Sequence, residues 1–205
     1  MLTDNTVRDL LAAFASSDPT PGGGSAAALA SAAGASLLMM VASLPKTRSN
    51  SEEDRAALSG ATSSLTGIRD QLTKAIDDDT AAYDQVVGAY RLPKGSEEEK
   101  AARTAAIQAA LRAATDVPLR VMRWSAQALD AAKTVAAHGN PAASSDVGVA
   151  VALLRAGLEG ARLNVDVNLS GIRDERYTHA VAAEVRQLGE RAAEHGGGAP
   201  PAVSG

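Results

Sequence analysis

The feature that most constrains the fold is an uncharged stretch that runs from residue 19 to residue 45. It opens with two prolines and three glycines and continues as AAALASAAGASLLMMVAS. Proline excludes helix in the opening loop, and the alanine-rich remainder favours helix from Ser25 to about Ser43. A helix that is apolar all round is buried or crosses a membrane. Its Ala, Ser and Gly are weakly hydrophobic, so we interpret it as the central helix of a bundle or of a dimer interface.

The remainder of the chain is also expected to be helical. Only 2% of the residues are aromatic. A core built from Ala, Leu, Val and Ile requires closely approaching elements, which favours helices over a sheet. A long helix is predicted from Ser51 to about Tyr90. The pair Ser96 and Glu99 forms a capping-box pattern that opens the next helix, which Pro118 should kink or split.

Three further helices complete the predicted domain. A first amphipathic helix, capped by Thr3 or Thr6, ends near Ser16, and two others are expected from about Ser144 to Ser170 and from about Asp174 to Glu194. The sequence therefore predicts an all-α fold, a single helical bundle of about six helices with a long central helix. The predicted domain spans residues 1–195, and residues 196–205 are predicted to be a disordered tail.

Charge and composition exclude several classes of function. The net charge is −4 and no run of Lys or Arg occurs, so a nucleic-acid interface has no electrostatic support. The absence of cysteine removes disulfides, thiolate nucleophiles and zinc–thiolate sites. The three histidines show no metal-ligand spacing, so no metal site is expected. The first residues lack the basic and apolar regions of a signal peptide. A cytoplasmic protein that binds neither nucleic acid nor membrane is predicted.

The glycine loop is the first candidate site. The backbone N–H groups of Gly23, Gly24 and Ser25 point the same way at a helix start, where the helix dipole favours an anion or a polar ring edge. A helix start with a flexible lead-in explains the same residues equally well, because glycine-rich patterns have many chance matches. No Gly-Lys-Ser/Thr sequence follows, so the loop is not a P-loop.

Asp79 is the second candidate. It falls, with Tyr83, on the apolar seam of the long predicted helix. The seam advances in steps of three or four residues through Leu65, Ile68, Leu72, Ile76, Val86 and Tyr90. A carboxylate on a core-facing stripe loses hydration and must be paired, bound to a metal or kept for chemistry. Asp77 and Asp78 flank it and would raise its pKa, although each of these two is better interpreted as part of a solvated edge. A structural ion pair with a neighbouring helix is the alternative for Asp79.

Two asparagines form the third candidate. Asn164 and Asn168 lie one turn apart, opposite a charged stripe and beside Gly157 and Gly160. Two buried amides need several hydrogen-bond partners. They therefore predict either a ligand contact or hydrogen bonding between helices, and the sequence favours neither. The two glycines are better explained by close helix approach.

The fourth candidate is the polar segment from Asn140 to Asp146, which leads into a helix. Ser144, Ser145 or Asp146 could simply cap that helix, and this local interpretation is the stronger one. No Ser-His-Asp catalytic set can be assembled, because no histidine is placed to activate a serine.

In this order the four candidates resemble the cyclodeaminase domain of formiminotransferase-cyclodeaminase and its stand-alone bacterial relatives, which include methenyltetrahydrofolate cyclohydrolases. The resemblance covers most of residues 5–190. The matching segments are Thr20-Pro21-Gly22-Gly23-Gly24-Ser25 with the alanines after it, Asp77-x-Asp79 with Ala82-Tyr83, Leu92-Pro93-Lys94, Val117-Pro118-Leu119, Gly139-Asn140 with Ser145-Asp146, and Asn164-Val165-x-x-Asn168-Leu169.

The resemblance implies an all-helical homodimer with one folate site among the glycine loop, the Asn140–Asp146 turn and the long helices. Asp79 would be the catalytic carboxylate, with Tyr83 and Lys46 as further catalytic candidates. The relatives carry a glycine, two basic residues and an aromatic after the buried helix, and here the aromatic is missing. In the implied site, Asn164, Asn168 and Asp146 would hold the amide and amino edge of the pterin, and Lys46, Arg48, Lys94 or Arg173 would meet the glutamate tail. The other implied substrate-binding residues are Pro21, Gly22, Gly23, Gly24, Ser25, Asn140 and Ser145.

Two reactions follow from the resemblance, and neither needs a metal or a redox cofactor. One is hydrolysis of 5,10-methenyltetrahydrofolate to 10-formyltetrahydrofolate. The other is cyclisation of 5-formiminotetrahydrofolate with loss of ammonia. Nothing in the chain resembles a formiminotransferase domain, which favours the cyclohydrolase. A helical binding or assembly module that keeps the fold without turnover is a further alternative.

Overall fold

A computed structural model describes residues 1–45 and 51–194, and this part of the chain is built from helices. Lys46, Arg48 and the predicted tail at residues 196–205 lie outside the described residues. Two short 3-10 turns, Leu2–Asp4 and Pro141–Ala143, accompany the α-helices. The α-helices are α1 (Val7–Phe14), α2 (Gly23–Ser43), α3 (Glu52–Tyr90), α4 (Glu97–His138), α5 (Ser144–Leu169) and α6 (Glu175–Ala193).

Most of the α-helices begin directly after a residue whose side chain caps their first turn. Thr6 caps α1, and Ser51 caps α3 with a reciprocal bond from Asp54, so that α3 has a full capping box. The capping box predicted at Ser96 and Glu99 is confirmed for α4. The expected cap of α5 is wrong: Ala143 occupies the N-cap position without a side-chain bond, and Asn140 instead caps the preceding 3-10 turn by accepting the N–H of Ala142.

Pro118 was predicted to kink or split its helix, and the split does not occur, because α4 runs through it without a break. Proline has no N–H, so it cannot donate to the carbonyl four residues earlier, which is that of Ala114. The side chain of Asn168 on α5 fills this gap by donating from Nδ2 to the Ala114 oxygen at 2.9 Å. Pro118 is fully buried, so packing and this replacement bond hold α4 together.

Helix α2 lies at the centre of the bundle and packs against α3, α4 and α5. Small residues let α2 and α5 approach closely, as the sequence predicts. A Cβ on Gly157 of α5 would overlap Ser31, and a Cβ on Gly34 of α2 would lie 2.8 Å from both the Ala150 carbonyl and the Leu154 side chain. These contacts pair the start of α2 with the end of α5, so the two helices run antiparallel.

Helix α6 packs on α4 in the same direction, through a polar seam. Partners along the seam are separated by 61 or 62 residues in sequence, which is the spacing of two parallel helices in register. Arg123 binds both oxygens of Glu184, at 2.6 and 2.8 Å. The other pairs of the α4–α6 seam are Arg112 with Asp174, Asp116 with Tyr177, and Asp130 with Arg191.

Candidate active site at the start of the central helix

Asp79 lies against the first turn of α2. Its Oδ2 accepts the backbone N–H of Ser25 at 2.9 Å and lies 3.2 Å from Ser25 Oγ. That hydroxyl is also 2.8 Å from the carbonyl oxygen of Ile76, one turn before Asp79 on α3. Ser25 is completely buried. Ser25 therefore fixes the position of the Asp79 carboxylate, and its buried side chain is not an exposed ligand contact.

Gly24 closes the other side of the carboxylate. A Cβ at this position would overlap Oδ1 and Cγ of Asp79. The glycine is therefore required by the close approach of α3 to the start of α2. Together Ser25 and Gly24 hold Asp79 in one orientation, in which one oxygen is hydrogen-bonded and the other lies against the α2 backbone.

The electrostatic setting of Asp79 is unusual for a carboxylate. Burial raises its pKa above the ordinary value of 3.8, and the hydrogen bonds from Ser25 oppose that rise only in part. No ion pair within residues 1–45 and 51–194 includes Asp79. The neighbours Asp77 and Asp78, expected to raise the pKa and to form a solvated edge, instead have partners: Asp77 accepts from Leu2 and Thr3, and Asp78 pairs with Lys74. Burial without a cationic partner among the described residues therefore disfavours the charged form of Asp79.

Two amides of α5 extend the site. Asn164 is half-buried, and its Nδ2 donates to the Gly160 carbonyl at 2.8 Å. The same nitrogen is the nearest side-chain neighbour of Gly23, at 3.5 Å from where a Cβ would stand. Nδ2 of Asn168 donates to the Ala114 carbonyl, which has no backbone donor because residue 118 is a proline. Hydrogen bonding between helices therefore holds for Asn168 and not for Asn164, whose bond stays within α5. Among the described residues, Oδ1 of Asn164 accepts no hydrogen bond beside the glycine loop.

The profile of the family described as Formiminotransferase-cyclodeaminase matches residues 6–187. The chain belongs to this family. Methenyltetrahydrofolate cyclohydrolase of Methylorubrum extorquens is 44% identical over 188 residues, which cover 92% of this chain and 90% of that protein. Formimidoyltransferase-cyclodeaminase of Rattus norvegicus is 35% identical over 127 residues, which cover 60% of this chain and only 24% of the rat protein.

A solved structure supports the fold. Formiminotetrahydrofolate cyclodeaminase of Thermotoga maritima superposes with a TM-score of 0.84, at 24% identity and over 95% of this chain and 93% of that chain. The all-α architecture expected from the sequence is therefore confirmed. At this level of identity the likeness concerns the fold alone.

The structure separates the residues of the family motifs into two groups. Gly23, Gly24, Asp79 and Asn164 meet at the start of α2. Asn140 lies at the other end of the bundle, where its Nδ2 donates to the carbonyl of Pro45, just beyond the end of α2. Ser145 is exposed and Asp146 is half-buried in the first turn of α5, at the same far end. Since α2 has 21 residues, the two groups lie about 30 Å apart at 1.5 Å per residue.

The remaining expected site residues have clear positions. Tyr83 is not on the buried seam: its side chain is 41% exposed, and Tyr90 is also exposed, because α3 turns this face to solvent beyond Asp79. Pro21 and Gly22 are half-buried in the loop, and Gly22 is the N-cap of α2. Lys94 is fully exposed in the turn between α3 and α4.

Sequence reasoning missed two contributors to the site. The carbonyl of Ile76 competes with Asp79 for the hydroxyl of Ser25. Pro118 engages Asn168 by freeing the carbonyl of Ala114. A proline inside a long helix was a visible signal for the second, since the carbonyl four residues earlier must find a donor.

Proposed function

We propose that this protein hydrolyses 5,10-methenyltetrahydrofolate to 10-formyltetrahydrofolate. The observation that carries the proposal is Asp79, a half-buried carboxylate without a cationic partner among the described residues, held in place by Ser25 and Gly24. The Methylorubrum extorquens relative, which matches nearly the whole chain at 44% identity, is named for this activity.

The reaction suits such a carboxylate. The substrate carries a cationic N5–C–N10 amidinium, and an ionised Asp79 both stabilises that cation and accepts a proton from the attacking water. The water oxygen bonds to the bridging carbon. The C–N5 bond then breaks as the adduct hydroxyl proton passes to N5, which leaves the formyl group on N10. Asp79 returns its proton to solvent, so the balance is one water consumed and one proton released.

The amides beside Asp79 fit the rest of the folate. With Nδ2 of Asn164 bound to the Gly160 carbonyl, its Oδ1 offers an acceptor to the amide and amino edge of the pterin, which is rich in N–H donors. Asp79 adds a second acceptor. The acceptor-rich site selects against an anionic group and for the N–H groups and positive charge of this substrate.

The family also supports the cyclodeaminase as a second candidate. Relatives such as the Rattus norvegicus protein carry that activity in their names, and the chain spans about a quarter of their length. In that reaction N10 attacks the formimino carbon on N5, and protonated Asp79 would supply the proton with which ammonia leaves. Both reactions pass through a tetrahedral centre at the same carbon, so one site suits either.

We also propose that the protein acts as a homodimer in the cytoplasm. Helix α2 is long and apolar enough to cross a membrane, with a mean hydropathy of 1.7, and only 50% of that segment is buried within one chain. The other half exposes an uncharged surface to solvent. A second copy of the chain would cover it, because an uncharged apolar face is complementary to itself.

The test mixes purified protein with 5,10-methenyltetrahydrofolate and follows the loss of its near-ultraviolet absorbance against buffer alone. Acceleration is expected, and Asp79→Asn should abolish most of it. Absence of acceleration, with folate still quenching Trp124 fluorescence and ammonia released from 5-formiminotetrahydrofolate, would replace the proposal with the cyclodeaminase. Absence of both activity and binding would favour a non-catalytic module.

A further inference from the structure

Four helices of the bundle form a square, and one corner of this square is open next to Asp79. Helices α2 and α4 occupy opposite corners, and each packs against both α3 and α5. Helix α2 begins at Gly23, beside Asp79 of α3 and Asn164 of α5. Both neighbours run antiparallel to α2 and continue past its start, α3 to Tyr90 and α5 to Leu169, which is about 16 Å and about 7 Å farther. Beyond the start of α2, these two helices therefore border a trough that has α4 as its floor.

The wall of the trough on α3 is uncharged and partly aromatic. Ile76 and Asp79 contact the first turn of α2, and the same stripe of α3 continues through Tyr83, Val86 and Tyr90. Because α2 does not extend along this part of the stripe, Tyr83 is 41% exposed and Tyr90 is 51% exposed. Val86 is half-buried and packs on the core between α3 and α4. Two exposed aromatic rings thus line the trough, about one and about three helical turns from Asp79.

A cation lies at the far end of the trough. The guanidinium of Arg103, near the start of α4, is 5.6 Å from the centre of the Tyr90 ring. Its Nε and Nη2 donate to the carbonyl oxygen of Tyr90 at 3.2 and 2.9 Å. This carbonyl is one of the last in α3, where the helix supplies no donor. Within residues 1–45 and 51–194 no carboxylate pairs with Arg103. Its side chain is therefore held in place while its positive charge is not neutralised.

Along the bundle axis, a substrate at Asp79 can extend in one direction only. Toward the middle of the bundle, buried side chains fill the space, namely Ala28, Leu72 and Ile76. In the other direction Tyr83 follows Asp79 at about 6 Å along α3, and Tyr90 with Arg103 follows at about 16 Å. In 5,10-methenyltetrahydrofolate the cationic carbon is bonded to N10, N10 carries the aminobenzoyl ring, and the ring carries the glutamate. A cation, an aromatic ring and an anion thus occur in the substrate in the order in which the chain offers a carboxylate, an aromatic ring and a cation.

We propose that the aminobenzoyl ring of the folate stacks on Tyr83 and that Arg103 binds the carboxylates of its glutamate. The inference rests on the proposed function and deepens it, because it assigns the half of the substrate beyond N10. The pterin stays beside Asn164 and the glycine loop. Stacking on an exposed tyrosine ring suits a flat aromatic group, and a guanidinium whose position is already fixed suits a carboxylate. Tyr83 is then a binding residue that acts through its ring and not through its hydroxyl.

The test for Arg103 compares two stable folates that differ only in the glutamate, 5-formyltetrahydrofolate and 5-formyltetrahydropteroate. Isothermal titration calorimetry gives the Kd of each. Wild type should bind the glutamate-bearing folate about 2- to 5-fold more tightly, and Arg103→Gln should lose this preference. Lys100→Gln is the matched control, because Lys100 is a cation three residues earlier on α4 that pairs with Glu97. The control should keep the preference of wild type.

Two substitutions of Tyr83 test the ring. Tyr83→Leu should weaken the binding of both folates equally, by about 2- to 10-fold, because both carry the aminobenzoyl group. Tyr83→Phe keeps the ring and removes the hydroxyl, so its Kd values and its kcat for methenyltetrahydrofolate should equal those of wild type. A large loss of kcat in Tyr83→Phe, with unchanged Kd values, would make the hydroxyl a proton donor and overturn the assignment of Tyr83.

Unchanged binding in Tyr83→Leu would also overturn the stacking, and a preference for glutamate that persists in Arg103→Gln would overturn the assignment of the tail. Wild type that binds neither folate would overturn both. Failure of the proposed function has a different signature, because these folates are bound and not turned over. Binding with the expected preference, without hydrolysis of methenyltetrahydrofolate, would refute the hydrolysis and leave the two binding assignments in place.

Discussion

Carboxylates are treated in opposite ways at the start of α2 and along the α4–α6 seam. On the seam, Glu184 is held by two hydrogen bonds from Arg123, and these bonds lower its pKa. At the start of α2, Asp79 receives only the neutral donors of Ser25, and burial raises its pKa. The bonds from Arg123 favour the ionised form of Glu184, whereas burial opposes the ionised form of Asp79.

This difference separates a structural carboxylate from one kept for chemistry. A surface ion pair such as Arg123–Glu184 adds little to stability, about 0.2–1 kcal/mol, and needs no exact environment. A buried carboxylate without a cation costs stability and persists when the surrounding structure holds it for another purpose. This loss of stability arises at Asp79, whose carboxylate contacts Gly24 and Ser25, and does not arise on the α4–α6 seam.

The largest effect is expected from removing the two carboxylates in turn. Asp79→Asn keeps the size of the side chain and removes the base, so kcat/KM for methenyltetrahydrofolate hydrolysis should fall about 10²- to 10⁴-fold. Glu184→Gln, the matched change on the seam, should leave kcat/KM unchanged. Steady-state kinetics on both variants at neutral pH make the comparison. Equal activity of Asp79→Asn and wild type would remove Asp79 from the mechanism.

The next effect concerns the position of the carboxylate rather than its presence. Gly24→Ala places a Cβ on the Asp79 carboxylate, which must move away. Displacement of a catalytic group by about 1 Å costs about 10²-fold in rate, and we expect kcat to fall by that order. Gly60→Ala is the control, because a Cβ there meets nothing within 4 Å. It should keep full activity and gain about 0.5–1 kcal/mol in helix stability. A fully active Gly24→Ala would show that the lock on Asp79 is dispensable.

Much of the fold was readable from the sequence because each signal is local. The uncharged stretch at residues 19–45, the helix start at Ser51, the capping box at Ser96, and the glycines at positions 157 and 160 all act within a few residues or one helix contact. Asp79 was found for the same reason, since a carboxylate on an apolar seam is visible from helical spacing alone.

Helical spacing and sequence order gave wrong expectations where contacts between distant parts of the chain decide the outcome. Tyr83 shares the helical phase of Asp79, yet among residues 1–45 and 51–194 it is left exposed on its face of α3. Pro118 was expected to kink or split α4, but α4 is continuous, and the donor that satisfies the Ala114 carbonyl lies 50 residues after Pro118 in sequence, at Asn168. The family resemblance grouped the Asn140–Asp146 segment with the glycine loop, but the segment lies at the other end of α2. Sequence order gives no measure of such distances.

The hydrogen bond from Asn168 to the Ala114 carbonyl, which Pro118 leaves without a backbone donor, gives a prediction of intermediate size. Asn168→Ala leaves the Ala114 carbonyl without its donor and should lower the free energy of unfolding by about 1–3 kcal/mol. Adding Pro118→Ala supplies a backbone N–H to the same carbonyl, so the double variant should recover most of the loss. Urea unfolding of the two single variants and the double variant measures the coupling. Additive losses would mean that Asn168 stabilises the fold through other contacts.

The smallest predicted effect is the most direct measure of the contrast between the two carboxylates, since their contributions to stability should change with pH in opposite directions. The pKa of Glu184 is lowered in the folded protein, so its contribution is present above its ordinary value of 4.5 and is lost as the pH falls through the folded value. The pKa of Asp79 is raised, so its contribution is complete below 3.8 and is lost as the pH rises through the folded value.

Melting temperatures of wild type, Asp79→Asn and Glu184→Gln between pH 3.5 and pH 7 measure these signs, because each variant removes one titrating group. As the pH falls from 7, wild type should gain stability relative to Asp79→Asn, and below about pH 4.5 it should lose stability relative to Glu184→Gln. The difference between two curves cancels the titration of all other groups, provided that each substitution leaves its surroundings intact. Parallel curves for wild type and Asp79→Asn would mean that Asp79 has an ordinary pKa in the folded protein. The start of α2 would then no longer differ from the seam in how it treats a carboxylate, and the rigid contacts of Ser25 and Gly24 would be left to explain any loss of activity in Asp79→Asn through geometry alone.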